Sequence, residues 1–297
     1  MRHVFLIVNP FATNVTERRL RVVEDLLSRA GRVETHLTER RGHASELARE
    51  GMNADAIVVF GGDGAANEAL NGLEGTAPFA ALPGGGTSVF ARALGIPRQP
   101  EAAAERLADA IISGRTRRIT LGRVAGRRFC FSAGIGFDAE AVRRVDGLGR
   151  AEDGRRPGDL AFATQLARVL ASRRLRFEPE LEIVGLGRAA FALISNCDPY
   201  SYAGPLKLRI APDASFELGL DLVAPVRVTP GTVPRFARYV FLGKGQQSSP
   251  DVIYAHDVDR VEVRCDRPLP LQVDGEDLGD VEHAVFEAER EAISVFH

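Results

Sequence analysis

Val58-Val59-Phe60-Gly61-Gly62-Asp63-Gly64-Ala65-Ala66-Asn67-Glu68 decides the reading of this chain. A β-branched and aromatic run enters a Gly-Gly-Asp-Gly turn, and a helix-forming segment follows. Glycine lets the backbone come closer to a ligand than a side chain would allow. A helix starting there aims its unpaired N–H groups and the positive end of its dipole at the turn, a setting that suits phosphate. In an open parallel sheet such a turn lies at the carboxyl end of a strand, where ligands bind. Taken alone, the turn also reads as a plain tight turn with Asp63 as helix cap.

Two further stretches strengthen the phosphate reading. Ala80-Ala81-Leu82-Pro83-Gly84-Gly85-Gly86-Thr87-Ser88-Val89 repeats strand, glycine loop and helix start. Thr87 or Ser88 is expected to cap that helix or to donate to a phosphate oxygen. Ile7-Val8-Asn9-Pro10 ends the first strand with an amide side chain. Three such strand ends side by side in a parallel sheet favour a polyphosphate nucleotide. No Gly-Lys-Ser or Gly-Lys-Thr is present, so this is not a Walker loop. No Gly-x-Gly-x-x-Gly follows the first strand, which speaks against a dinucleotide fold.

Outward from these turns, strands at 4–8, 33–37, 56–60 and 79–82 alternate with helical patterns at 17–29, 43–49, 65–72, 89–94 and 101–112. Strands separated by helices imply a mostly parallel sheet covered on both faces. From about Arg117 strand candidates follow one another: 118–124, 128–133, 179–186, 189–195, 206–210, 219–224, 252–256, 259–265, 269–273 and 281–287. Helices are expected near 157–172 and 230–242. The expected fold is α/β: a doubly wound, mostly parallel nucleotide domain over 1–117, then an all-β, sandwich-like domain over 118–297 with one or two helices. The tail Ala292 to Phe296 is expected to return to the first domain as a strand.

Bulk properties agree with two soluble domains. The chain has 297 residues, 45% hydrophobic and 26% charged, with a net charge of −2. No global basic field exists to hold nucleic acid. Cys130, Cys197 and Cys265 are odd in number and widely spaced, as free thiols of a reducing compartment are. No segment reads as a signal peptide or a membrane span, so a cytoplasmic location is expected.

Gly61-Gly62-Asp63-Gly64, Asn67-Glu68, Asn71-Gly72-Leu73 and Leu82-Pro83-Gly84-Gly85 through Val89-Phe90-Ala91-Arg92 together resemble the diacylglycerol kinase catalytic domain. Ala133-Gly134-Ile135-Gly136-Phe137-Asp138-Ala139 and Val273-Asp274-Gly275-Glu276 resemble that family's downstream signatures. The resemblance implies an ATP-binding α/β domain, a β-sandwich lipid-binding domain and an active site in the cleft between them. It implies that Asn9, Pro10, Thr38, Gly61, Gly62, Asp63, Gly64, Ala65, Asn67, Glu68, Gly85, Gly86, Thr87 and Ser88 hold ATP. By the same resemblance Asp63 serves the Mg²⁺·ATP phosphates through metal or water, Glu276 is the general base and Asp138 lies near the lipid headgroup. A carboxylate such as Glu276 can take a hydroxyl proton during phosphoryl transfer. The partner implied is a lipid at the membrane surface, reached transiently; a homodimer is left open.

Four positions depart from that family pattern. Ala65 stands where threonine is usual, Ser88 where asparagine is usual, and Gly86 where a small hydroxyl residue is usual. Leu218, in Phe216-Glu217-Leu218-Gly219-Leu220-Asp221, stands where a structural Mg²⁺ carboxylate is usual; Glu217 beside it would point to the other face of a strand, so that site is expected to be absent or altered. Ala65 and Ser88 keep open a non-catalytic nucleotide or lipid sensor; a sphingoid or other long-chain alcohol kinase, and an NAD kinase-like enzyme sharing Gly61 to Gly64, are the other readings. The arginine-rich segment from Arg143 to Arg176 reads as a solvated face, with a membrane-facing basic patch as the alternative, and the helix carrying Leu160, Phe162, Ala163, Leu166 and Leu170 as core-packed.

Overall fold

Apolar β-branched runs alternating with amphipathic helices need a sheet covered on both sides, and the first unit builds one. The computed structural model describes residues 2–149, 159–204 and 206–297. The chain divides into two units, Met1–Ile119 with Glu291–His297, and Thr120–Arg290.

In the first unit the order is β1 (Arg2–Val8), α1 (Glu17–Ser28), β2 (Gly31–Leu37), α2 (His43–Glu50), β3 (Ala56–Gly61), α3 (Asp63–Gly72), β4 (Phe79–Pro83), α4 (Val89–Ala93) and α5 (Pro100–Ser113). The four strands are parallel in the order β4-β3-β1-β2. Every residue of β3 and β4 is buried, as strands covered on both faces must be. The Phe60 side chain is fully buried, and its truncation to alanine would cost about 3–5 kcal/mol. Helix α1 packs against α5, and α2 against α3. Thr16 opens α1 by accepting the Arg19 N–H, and Val23 and Leu27 turn the apolar stripe inward.

The second unit is β-rich. Strand β5 (Thr116–Val124) leads into it, followed by β6 (Arg127–Phe129), β7 (Ser132–Ile135), α6 (Phe137–Asp146), α7 (Asp159–Ser172), β8 (Leu181–Ile183), β9 (Gly187–Ala189), β10 (Ala192–Ser195), β11 (Ser201–Ala203) and β12 (Leu206–Leu208). Then come β13 (Leu220–Pro225), α8 (Val233–Leu242), β14 (Val252–Val258), β15 (Arg260–Val273) and β16 (Glu276–Phe296). Strands β14, β13, β10, β7, β15 and β16 pair antiparallel in that order. Their inward side chains, among them Leu222, Val263, Leu271 and Phe286, form one apolar cluster with Phe129 of β6. The last residues of β16 pair with β4, Val295 opposite Phe79.

Several sequence expectations need correction. The run 128–133 is two strands, because the N–H groups of Cys130 and Phe131 turn to the Asp274 carboxylate. The runs 259–265 and 269–273 are one strand, β15, whose pairing with β16 slips between Arg264 and Leu269 around Asp266–Pro268. The run 179–186 shortens to β8 and a turn, because Leu181 to Ile183 pair back onto β9. Helix α6 and strand β11 were absent from the expected elements. Of the helix expected from 157, residues 157 and 158 lie outside the described residues, as do the side chains of Leu160 and Ala163. Phe162, Leu166 and Leu170 pack on an aromatic cluster with Phe177 and Phe191. Of the six described arginines in the segment 143–176, three are in ion pairs: Arg143 meets Asp277 and Asp280, Arg144 meets Glu140, and Arg173 meets Glu140 and Glu180. Residues 150–158 of that segment lie outside the described residues.

Candidate functional site

In the first unit the strand ends come together. Val8 lies beside Phe60, and Gly61 beside Pro83, so the three loops expected to serve a nucleotide leave one sheet edge side by side. The two glycine turns close on each other. The Gly84 and Gly85 N–H groups both donate to Gly61 O, at 2.7 and 3.1 Å. A Cβ on Gly84 would lie 2.8 Å from Gly61 Cα, and one on Gly85 2.9 Å from Gly62 Cα. Contacts this short exclude any side chain at either position. The glycines are therefore needed for backbone-to-backbone approach.

Asp63 serves this arrangement in a way the sequence did not indicate. Gly62, not Asp63, is the N-cap of α3. The Asp63 carboxylate instead crosses to the other turn and accepts the N–H groups of Val89 and Phe90, at 2.9 and 3.0 Å. It thus caps α4, the role expected of Thr87 or Ser88. Ser88 occupies the cap position in a left-handed conformation (φ 48°) and makes no side-chain cap bond; its Oγ donates to Gly85 O. Thr87 is half-buried beside it, with its carbonyl accepting from Arg92.

The remaining expected residues frame the turns. The Asn9 N–H donates to Phe60 O, and its Oδ1 accepts the Phe11 N–H, while Pro10 is exposed. Thr38, buried at the end of β2, donates its N–H to Val8 O. Glu68 accepts the Gly42 N–H at 3.0 Å, tying α3 to the loop after β2. Asn67 is buried and receives Asn71 Nδ2 on its carbonyl and side-chain oxygen. Ala65 is buried against Gly61, Gly64 is half-buried, and Gly86 is exposed with open space around it. Asn14 was missed by sequence reasoning. Its N–H donates to Gly84 O at 2.8 Å and its Nδ2 to Gly85 O at 2.7 Å, which pins the second glycine turn to the loop after β1. Its one signal was its place in a loop leaving a strand end.

The second unit holds the other expected residues. Asp274 (φ 46°) and Gly275 (φ 79°) make the two-residue turn between β15 and β16, closed by Val273 opposite Glu276. Positive φ at both positions matches the favoured hairpin turn. The Asp274 carboxylate, buried, accepts three N–H groups, from Cys130 at 2.6 Å, Phe131 at 3.0 Å and Ser132 at 3.1 Å. Glu276 is the first residue of β16 and only 8% exposed. Arg127 Nη2 donates to its Oε2 at 2.6 Å, a charge-assisted contact that fixes the carboxylate's direction. The Asp-Gly pair was legible as a turn; its grip on the β6–β7 corner was not. Arg127 carried no signal among many arginines.

Asp138 lies in the first turn of α6, buried, and accepts from Tyr200 Oη, Gln272 Nε2 at 2.8 Å and the Ala139 N–H. Burial pushes its carboxyl above the usual carboxylate range, against the pull of those hydrogen bonds. Burial, then the neighbouring Asp138, pushes the Tyr200 phenol well above its ordinary value. Glu217 is exposed in a turn before β13, where it accepts from Ser215 Oγ. Among the described residues no three histidine, cysteine, aspartate or glutamate side chains group to hold a metal.

A parallel α/β unit with paired glycine turns, joined to a β-rich unit, is the architecture of diacylglycerol and NAD kinases. A crystal structure of a diacylglycerol kinase from Bacillus anthracis str. Sterne superposes with TM-score 0.73 at 19% identity, covering 100% of this chain and 97% of that one. The NAD kinase from Archaeoglobus fulgidus in complex with ATP superposes with TM-score 0.54 at 14% identity, over 99% and 93% of the two chains. These likenesses define the fold.

Sequence defines the family. Residues 3–124 match the family model of the diacylglycerol kinase catalytic domain. A diacylglycerol kinase of Bacillus subtilis (strain 168) is 31% identical over 285 residues, 93% of this chain and 90% of that protein. The chain belongs to the diacylglycerol kinase family, and is a kinase that transfers phosphate to an alcohol.

Proposed function

We propose that this enzyme transfers the γ-phosphoryl group of ATP to the free hydroxyl of a diacylglycerol, working from the cytoplasm on lipid at the membrane surface. The observation that carries the reading is the closure of the two glycine turns on each other at adjacent parallel strand ends. Backbone N–H groups of the turns and of the first turn of α3 neutralise the nucleotide's phosphates. Asn14 holds the second turn in place by its bond to Gly85 O. The match to a full-length diacylglycerol kinase supports the choice of acceptor.

In the reaction the lipid hydroxyl oxygen bonds to the γ-phosphorus as its proton passes to Glu276. The bond from that phosphorus to the bridging oxygen breaks, and ADP leaves. Arg127 orients the Glu276 carboxylate. Mg²⁺ comes with the nucleotide as its phosphate counter-ion. Asp63, with its oxygens on the Val89 and Phe90 N–H groups, fits a cap and not a direct metal ligand, and no step is routed through the metal. Asp138, with Tyr200 and Gln272, is a polar contact for the lipid headgroup.

The test is a competition among acceptors. The chain is incubated with γ-labelled ATP and diacylglycerol, sphingosine, or NAD. Label in phosphatidic acid is the expected outcome; label only in sphingosine phosphate or NADP would contradict the acceptor assigned here.

A further inference from the structure

The 38 basic residues of this chain are arginines with two exceptions, Lys207 and Lys244. Both lysines lie in segments of the second unit that pack on one another. Lys207 is in β12, and Lys244 follows α8 by two residues. Helix α8 packs against β12, and the Arg209 N–H donates to Val240 O at 2.7 Å, which joins the two segments. Next to each lysine along the chain are large apolar side chains turned to solvent. Leu206 precedes Lys207 at 57% exposure; Phe241 and Leu242 precede Lys244 at 54% and 59%. Val233, Phe236 and Tyr239 form the inward stripe of α8, so Phe241 and Leu242 are not needed for its own packing.

We infer that this face is a docking surface for an anionic lipid bilayer. The inference rests on the lipid kinase reading, since it supplies the contact that brings the enzyme to its substrate. Charge favours it. Arg209 and Arg235 are matched by Asp198 and Asp251. That leaves Lys207, Arg238 and Lys244, with no salt bridge among the described residues; beside Lys207 stand Asp198, already paired with Arg209, and Asp213. Apolar side chains flanked by cations insert at the headgroup boundary, and lysine stems reach from there to the phosphates. Three half-exposed side chains also offer far less than the roughly 800 Å² per partner that a stable protein interface needs. By contrast, the arginines at 143, 144 and 173 are held in ion pairs.

The lysine count makes the test direct, because an amine-reactive label on the full chain reports only these two side chains and the amino terminus. Vesicles of phosphatidylcholine with phosphatidylglycerol are expected to slow labelling of Lys207 and Lys244 at least fivefold; pure phosphatidylcholine vesicles have little effect. The double variant Lys207→Gln/Lys244→Gln is expected to bind the anionic vesicles about 30-fold more weakly, at roughly fivefold per lysine. Phe241→Ser/Leu242→Ser weakens binding on the order of 100-fold. All variants should phosphorylate a short-chain diacylglycerol in detergent micelles at the wild-type rate. That micelle assay reads the kinase reaction separately: its failure in wild type with lysine protection intact would overturn the lipid kinase reading alone. Equal labelling with and without vesicles would overturn the docking surface. So would protection that needs no lipid and rises with protein concentration, which would assign the face to a second copy of the chain.

Discussion

Placing a methyl group on Gly84 tests the glycine-turn geometry. In Gly84→Ala the new Cβ would sit 2.8 Å from Gly61 Cα and 2.9 Å from Gly61 N and O. All three are backbone atoms of a strand end, so no side chain can swing away. The turns must separate by about half an ångström to restore ordinary contact. Separation weakens the bonds from Gly84 N and Gly85 N to Gly61 O, worth about 1 kcal/mol each, and adds overpacking strain of about 1–3 kcal/mol. The expected total is about 3 kcal/mol, or a fall in melting temperature of roughly 5 °C for a chain of this size. Gly86→Ala is the control. Nothing lies within 4 Å of a Cβ there, and its φ is not in the left-handed region, so it should be neutral or stabilising by about 0.5 kcal/mol. Thermal unfolding and calorimetric ATP titration read both variants. Loss of ATP affinity should accompany the lower melting temperature in Gly84→Ala only. If the two variants melt together and bind ATP alike, the turns do not abut as described.

Other outcomes follow from the same geometry. Asp274→Asn leaves one oxygen for three N–H donors and should lower stability by about 2–4 kcal/mol, read as a shift in urea midpoint. Asn14→Ala frees the second turn from its side-chain tie to Gly85 O and should weaken ATP binding about fivefold, at roughly 1 kcal/mol, with little change in the acceptor's KM. His256 bonds to the buried carboxylate of Asp221, which raises its pKa from the ordinary 6.5. The folded state holds that proton more tightly than the unfolded chain. The stabilisation is therefore complete below about pH 6.5 and drains as pH climbs through the raised folded value. Urea midpoints should show this slope in wild type and a flatter one in His256→Gln; equal slopes would break the assignment.

The sequence made the first unit legible because its strands are buried on both faces and so read as unbroken apolar runs. The glycine turns stood out for the same reason that they matter, since no other residue survives the backbone contact at Gly84 and Gly85. What escaped was reach between segments distant along the chain. Asp63 caps a helix 26 residues away, and Asp274 holds a corner 142 to 144 residues away. Local pattern cannot report such partners. Strand ends failed where side chains claimed backbone N–H groups, as at Cys130, or where a slip in register carried β15 through Pro268. Glu276 was readable only through its resemblance to a family motif, because an Asp-Gly turn explains its surroundings equally well.

Proton acceptance by Glu276 is tested by single-turnover transfer from γ-labelled ATP to diacylglycerol by wild type and Glu276→Gln, with ATP affinity measured alongside. Labelled phosphatidic acid is expected from wild type, and a rate about 10²–10⁴-fold lower from the variant, at unchanged ATP affinity. Transfer by Glu276→Gln at the wild-type rate would contradict that role.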